Sequence, residues 1–143
     1  MSASALPDRL PRVARETDKT RLTALRAVFA DTATNVPTFT NTAFTGGHRP
    51  DEGLRNLLSA ELTDYEKRCA LKRAIVAYLD RGGAPTVERG AGDAEMQLEA
   101  AVFYHFRVAG ADVPLFVKVF VDECGDELDV RVISVKRDDQ AWK

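Results

Sequence analysis

The C-terminal third of the chain alternates apolar and polar side chains over three consecutive stretches, and this pattern limits the folds it can adopt. A period of two places successive side chains on opposite faces of a β-strand. Turn-forming segments, 109–112 and 122–127, separate the stretches. The pattern predicts an antiparallel meander over about 96–108, 114–122 and 127–137 with one buried face. The side chains predicted to be buried are Leu98, Ala100, Val102, Tyr104, Phe106 and Val108, then Leu115, Val117, Val119 and Val121, then Leu128, Val130 and Val132.

Two helices are predicted upstream of the meander from local signals. Apolar residues at helical spacing predict a first helix over about 18–30, and Asp18 is placed to cap its N-terminus. A second helix is predicted over about 51–60, because Pro50 and the two carboxylates that follow it are typical of a first helical turn.

The third and clearest helix prediction covers about 64–81. Thr63 and Glu66 match a capping box, in which each side chain accepts a hydrogen bond from a backbone N–H at the helix start. Gly82 and Gly83 supply the left-handed conformation that ends a helix. The basic side chains of this helix fit a basic ridge or, as the preferred interpretation, a solvated surface whose aliphatic stems cover the core. They are Lys67, Arg68, Lys72 and Arg73.

The remaining segments are less regular. Residues 1–17 contain two prolines and no clean period, and we expect an N-terminal arm that need not be ordered. Residues 38–45 are rich in threonine and suit an added edge strand, and a short strand is predicted at Thr86–Arg89. Together these predictions describe one α+β domain over 18–143, with the helices packed on an antiparallel sheet.

Composition excludes several classes of protein. The 143 residues are 45% hydrophobic and 29% charged, as in an ordinary globular protein. No apolar run approaches the roughly 20 residues that span a bilayer, and the first residues lack the pattern of a signal peptide. We therefore expect a cytoplasmic protein with no membrane partner. Cys69, Cys124, His48 and His105 lack the spacing of a zinc site, so no metal and no cofactor are expected.

The meander face that points away from the helices is predicted to collect aromatic and cationic side chains. It would hold Phe103, His105, Arg107, Phe116, Lys118, Phe120 and Arg131. Rings beside cations can stack bases and hold phosphates, and His105, Lys118 and Arg131 are candidate catalytic residues for RNA cleavage. In the preferred alternative, a helix or the threonine-rich segment covers the rings, and the charges lie at strand ends and pair with Asp129 and Glu99.

The same strands resemble the C-terminal sheet of RelE-like and MqsR-like ribonuclease toxins. The resemblance rests on Val102-Phe-Tyr-His-Phe106, Leu115-Phe-Val-Lys-Val119 and Val130-Arg-Val-Ile-Ser-Val-Lys136. Those families end in a sheet of similar alternation, with matching lysines in the last two strands, and cleave messenger RNA on the sheet face. The resemblance implies a metal-independent endoribonuclease with Lys118 and Lys136 as the matching lysines. It also implies that Tyr104 and His105 lie near the site, although this chain is longer and more acidic than such toxins.

Charge is unevenly distributed along a chain whose net charge is −2. Residues 1–50 carry seven basic and four acidic groups, whereas residues 90–143 carry six basic and eleven acidic ones. This balance weighs against broad, sequence-independent binding of nucleic acid. The acidic groups near the last turn suit contact with a basic protein, or alternatively form a solvated turn. The candidate partner-binding residues are Asp122, Glu123, Asp126, Glu127 and Asp129.

Two functions follow as hypotheses. The first, favoured because no stretch carries a motif specific to one reaction, is a small protein-binding module that acts without catalysis as an inhibitor, immunity or regulatory protein. The second is a ribonuclease of the toxin type described above, with RNA as its partner. Arginine outnumbers lysine and alanine is abundant, which is typical of a GC-rich bacterial or phage gene.

Overall fold

The computed structural model describes residues 13–31, 37–47, 49, 52–89, 101–109, 113–124 and 127–138. Helices lie mainly in the N-terminal half and strands mainly in the C-terminal half, so the predicted α+β class is confirmed. In chain order the elements are β1 (Val13–Arg15), α1 (Lys19–Ala30), β2 (Thr38–Phe39), α2 (Asn41–Thr45), α3 (Leu54–Leu57), α4 (Asp64–Asp80), β3 (Thr86–Arg89), β4 (Ala101–Ala109), β5 (Pro114–Cys124) and β6 (Glu127–Arg137).

The described strands form one mixed sheet of six strands in the order β1-β3-β4-β5-β6-β2. Strands β4, β5 and β6 pair as consecutive antiparallel neighbours, which confirms the predicted meander. The short strand predicted at Thr86–Arg89 is confirmed as β3, which pairs with β4. The start of the first meander strand was predicted near residue 96, and positions 96–100 lie outside the described residues.

Strand β1 lies in the segment for which an arm was predicted. Val13–Arg15 pair antiparallel with β3 at one edge of the sheet, whereas residues 1–12 lie outside the described part of the chain. The next residue, Glu16, is 4% exposed and accepts a hydrogen bond from Tyr104 Oη at 2.5 Å. Arg21 approaches the same carboxylate oxygen at 3.4 Å. This buried polar network attaches the N-terminal strand to the core.

The predicted edge strand over 38–45 is correct only for its first two residues. Thr38 and Phe39 pair parallel with β6, but the following residues turn into the short helix α2. The Thr40 hydroxyl accepts a hydrogen bond from Ala43 N at 3.1 Å and so caps that helix. Phe44, one turn further, is buried in the core. The cap and this burial outweigh the extended preference of the threonines.

The second predicted helix, over 51–60, is shorter in the structure. Helix α3 comprises only Leu54–Leu57, because Gly53 has φ of +93° and Leu58 is extended. A Cβ atom on Gly53 would lie 2.3 Å from Gly46 N, so the chain requires glycine there. Gly53 N also donates to Val135 O at 2.9 Å, which fixes α3 against the sheet.

The other two helices match their predictions closely. Asp18 caps α1 by accepting from the backbone N–H groups of Thr20 and Arg21, at 2.9 and 3.3 Å. Thr63 and Glu66 form the predicted capping box of α4: Thr63 N donates to Glu66 Oε1 at 2.8 Å, and Glu66 N donates to Thr63 Oγ1 at 3.1 Å. Among the described helices, none is long and apolar enough to cross a lipid bilayer.

The helices cover one face of the sheet. Buried residues of α1 and α4, such as Phe29 and Ile75, join one core cluster with the inward side chains of the meander. Phe106 lies at its centre, in edge-to-face contact with Phe29 and Tyr78 at ring-centroid distances of 5.9 Å in both cases. Tyr104 is fully buried on the same side.

A register shift in the β5–β6 pair interrupts the alternation of β6. Lys118 pairs with Ser134 and Val119 with Val132, so Ile133 is an additional residue on β6. As a result Val132 and Val135 are both buried in the core although they are three residues apart. The shift also places Ser134 beside Lys118.

Candidate functional site

The candidate site lies on the sheet face that points away from the helices, which we call the outer face. Its central side chains come from alternate positions of β3 to β6. The cluster of the outer face, Phe103, Phe120 and Ile133, includes no helical residue, whereas buried residues of every described helix belong to the core cluster of the opposite face. The outer face comprises Thr86, Glu88, Phe103, His105, Arg107, Phe116, Lys118, Phe120, Asp122, Asp129, Arg131, Ser134 and Lys136.

A row of four polar side chains crosses the outer face. Thr86 pairs with His105, His105 with Lys118, and Lys118 with Ser134, so one residue from each of four strands contributes. Directly opposite residues in antiparallel pairs have Cβ atoms about 4.5–5.5 Å apart. The row therefore brings together an imidazole, an ammonium group and two hydroxyl groups, which are groups that donate to or exchange protons with an oxyanion.

The adjacent cross-strand row adds two more cations, Arg107 and Lys136, on either side of Phe116. We call the surface around Lys118, Arg107 and Lys136 the cationic part of the outer face. Arg107 pairs with Phe116, and Phe116 with Lys136. The half-buried Phe116 ring stacks on His105 with centroids 5.5 Å apart and an interplanar angle of 27°. The Arg107 guanidinium carbon lies 5.3 Å from the centre of the Phe116 ring. Phe116 thus holds His105 and Arg107 in place by stacking and cation–π contact.

Phe103 and Phe120 lie on the other side of the row and are buried, with 3% and 2% exposure. Their ring centroids are 5.6 Å apart, and Ile133 packs against them. Lys118 Nζ lies 4.8 Å from the centre of the Phe103 ring. These two rings therefore form a small second core that supports Lys118, and in this structure they do not present open faces for stacking bases.

The environment of His105 favours the neutral imidazole. Burial lowers the pKa of His105 below its ordinary value of 6.5, and the positive charges of Lys118 and Arg107 lower it further. Glu88, on the neighbouring strand, opposes these effects and raises the pKa. A neutral imidazole at pH 7 can accept a proton from a substrate hydroxyl.

Arg131, the third predicted catalytic residue, is not part of the polar row. It pairs with Phe120, and its guanidinium is bonded to Asp129 Oδ2 at 3.0 Å. This is the pairing with Asp129 that the alternative interpretation predicted. Arg107 is similarly paired with the buried carboxylate of Asp138, at 3.2 Å. Glu99, the other acidic partner considered, lies outside the described residues.

Tyr104 is not on the outer face either. The resemblance to ribonuclease toxins implies that Tyr104 lies near the site, but its ring is in the core and its hydroxyl is bonded to Glu16. The reason is strand parity, because neighbours along a strand point to opposite faces. Lys136, the second matching lysine, does lie on the outer face, next to Phe116 in the pairing register.

Thr86 and Ser134 are site residues that the sequence pattern did not predict. Thr86 enters through β3, whose pairing with β4 aligns it with His105. Ser134 pairs with Lys118 because of the register shift, and a strict period of two in the sequence does not reveal that shift. The only sequence signal for it is the spacing of Val132 and Val135, since both are apolar and three residues apart.

The predicted acidic site lies at the end of β5 and the start of β6. Asp122 and Asp129 pair directly across the two strands. The backbones of Glu123 and Glu127 continue the hairpin, but their side chains, and Asp126 as a whole, lie outside what the structure describes. Like charges directly opposite each other destabilise a sheet, although the Asp129–Arg131 ion pair relieves part of this repulsion.

Within the described residues, no three His, Cys, Asp or Glu side chains form a group that could hold a metal ion. The chain matches no protein-family model, and no curated protein and no solved structure is significantly similar to it. The resemblance to ribonuclease toxins therefore remains a prediction based on the strand pattern alone.

Proposed function

We propose that the outer face binds RNA and cleaves it without a metal ion, with His105 as general base and Lys118 stabilising the charge that develops on the phosphate. The observation that supports this proposal is the direct pairing of His105 with Lys118 between Thr86 and Ser134. The lowered pKa of His105 adds to it, because a base must be unprotonated at the working pH.

In the proposed reaction the ribose 2′-hydroxyl is the nucleophile. His105 takes its proton, the 2′-oxygen bonds to phosphorus, and the bond from phosphorus to the 5′-oxygen of the next nucleotide breaks. That oxygen takes a proton from water, which leaves a 2′,3′-cyclic phosphate and a 5′-hydroxyl end. The ammonium group of Lys118 and the hydroxyl groups of Thr86 and Ser134 donate to the non-bridging phosphate oxygens, which carry more charge in the transition state.

The test is cleavage of a fluorescent RNA oligonucleotide by the purified full-length chain. We expect His105→Ala to reduce the rate by about 10²–10⁴-fold and Lys118→Ala by about 10²-fold. Arg73→Ala, an exposed position on α4, is the matched control and should cleave at the normal rate. A single 2′-deoxyribose at the cleaved position should abolish the reaction there.

Two results would contradict the proposal. One is the absence of cleavage by the unmodified protein over a panel of single-stranded and structured RNAs. The other is cleavage that survives in both His105→Ala and Lys118→Ala, because the activity would then lie elsewhere or belong to a contaminant. Thermal unfolding of each variant separates loss of chemistry from loss of fold.

A second candidate function is binding to a basic protein through the acidic end of the β5–β6 hairpin. The observation that favours it is the opposed pair Asp122 and Asp129, whose mutual repulsion a cationic partner would relieve. Under this function one specific partner should be captured by the protein and lost on replacing both residues with lysine. Capture should persist in the His105→Ala and Lys118→Ala variants, which separates the two functions.

A further inference from the structure

A separate cavity of about 320 Å³ lies on the helical side of the molecule, between α4 and the edge strand β2. Pocket volumes of about 300–1,000 Å³ are typical of small-molecule sites. The segment Pro37–Phe39 forms one wall and one stripe of α4 forms the other. The α4 residues that line it are Tyr65, Arg68, Cys69 and Lys72.

The polar side chains that line this cavity are hydrogen-bond donors. Arg68 and Lys72 carry positive charges, and Thr38, Tyr65 and Cys69 carry O–H or S–H groups. The described lining includes no carboxylate. A lining with two positive charges and no described carboxylate favours an anion over a cation or a neutral molecule.

Arg68 is held in a defined orientation. Its guanidinium carbon lies 4.4 Å from the centre of the Phe44 ring and 5.9 Å from that of Phe39. Stacking of this kind restricts the planar group before any ligand arrives, so less side-chain entropy is lost when two parallel hydrogen bonds to an oxyanion form.

Lys72 contributes mainly through its charge. It is 4% exposed, and its Nζ donates to Asp31 O at 3.0 Å. Burial lowers the pKa of Lys72, and the charges of Cys69 and Asp31 partly offset that effect. An anion bound beside it would favour the charged ammonium in the same way.

The Tyr65 ring lines the cavity and is 62% exposed, the most exposed large hydrophobic side chain described. Phe39 provides a second ring in the lining. Aromatic faces at a polar cavity suit a flat ligand, which can lie against them while its charged group is held further in.

We propose that this cavity binds a small flat organic anion, in which a ring bears a phosphate or carboxylate group that pairs with Arg68. The ring of the ligand lies against Tyr65 and Phe39. This site is independent of the proposed ribonuclease, since Arg68 and Lys72 belong to α4, on the opposite side of the sheet from His105 and Lys118.

The test is titration of the full-length chain with adenosine 5′-monophosphate, benzoate and inorganic phosphate, followed by calorimetry and by backbone amide NMR. We expect at least one of the two organic probes to bind saturably and to shift the amides of Thr38, Phe39 and Cys69. Arg68→Gln should weaken this binding at least about tenfold. Arg73→Gln, on the same helix but outside the cavity, should leave it within about twofold.

The probes distinguish the two sources of negative charge. Binding of the nucleotide with competition by inorganic phosphate assigns a phosphate ligand, and binding of benzoate alone assigns a carboxylate. Arg68→Lys keeps the charge and the aliphatic stem but loses the planar guanidinium. Its affinity for the probe should lie between those of the unmodified protein and of Arg68→Gln.

Three results would overturn the proposal. The first is no saturable binding of either organic probe. The second is an equal loss of binding in Arg73→Gln, which would indicate general attraction to a basic helix. The third is loss of binding in the His105→Ala, Lys118→Ala double variant, which would place the anion on the outer face.

Discussion

His105 and Lys118 show how one pair of neighbouring side chains sets the chemistry of the outer face. Burial and the charge of Lys118 both lower the pKa of His105, so replacing Lys118 with methionine should raise that pKa toward its ordinary value. The measurement is an NMR titration of the His105 ring in both proteins. A pKa that stays unchanged in Lys118→Met would mean that the two side chains do not interact.

The same group predicts a pH dependence of stability. The folded pKa of His105 lies below 6.5, so the unfolded chain takes up this proton more readily than the folded chain. His105 should therefore reduce the free energy of unfolding as the pH falls from about 6.5 through the folded pKa. Urea unfolding at a series of pH values should show this decrease, and His105→Gln should remove it. An identical pH profile in the variant would contradict the expectation.

Among the secondary-structure elements, α3 is short because Gly53 has a positive φ, and replacing this glycine tests that explanation. Alanine at this position would carry φ of +93° and place its Cβ 2.3 Å from Gly46 N. We expect Gly53→Ala to destabilise the protein by more than about 3 kcal/mol, because backbone clash adds to the conformational cost. Gly82→Ala is the matched control, since its φ is +84° but its Cβ would meet nothing within 4 Å. It should cost only about 1 kcal/mol, and equal losses on urea unfolding would contradict the explanation.

The elements that sequence predicts well are those encoded by their own residues. The alternation of the meander and the Thr63–Glu66 capping box are local signals, and both appear in the structure as predicted. Strand β1 and helix α2 depend on partners that are distant in sequence. Strand β1 forms by pairing with the edge strand β3, and α2 is stabilised by packing of Phe44 in the core. Propensity alone cannot supply that information.

The candidate site shows the same division between local signals, which the sequence reveals, and partners distant in sequence, which it does not. His105 and Lys118 face the same side because of parity, and their pairing follows from the short connection between β4 and β5. Arg131 has the right parity but a different partner, since Asp129 binds its guanidinium. Ser134 depends on the register shift between Lys118 and Val119, which a strict period of two does not reveal.

At the scale of the whole molecule, Glu16 and Tyr104 connect the N-terminal strand to the centre of the sheet. Tyr104→Phe would leave the buried Glu16 carboxylate without its phenolic donor. We expect a loss of about 1–3 kcal/mol on urea unfolding, together with faster amide exchange in β1. Glu16→Gln keeps an acceptor for Tyr104 and should cost less. A neutral effect of Tyr104→Phe would mean that β1 is held by other contacts.

The sheet divides the molecule into two surfaces of different chemistry. On one side α4 and the edge segment Pro37–Phe39 line the cavity beside Arg68, and on the other side the outer face carries the His105–Lys118 row. The acidic hairpin end lies on the same outer face, beyond Phe103 and Phe120. A substrate with a phosphodiester backbone is expected at the cationic part and repelled by the acidic part.

RNA is proposed to bind at the cationic part of the outer face. The most direct measurement is a backbone and side-chain NMR titration of the His105→Ala variant with a 2′-O-methyl oligonucleotide, which cannot react through its 2′-oxygen. We expect shifts concentrated at Thr86, Lys118, Ser134 and Lys136. Shifts confined to the Asp122–Asp129 hairpin end or to α4, or no shifts at all, would contradict it.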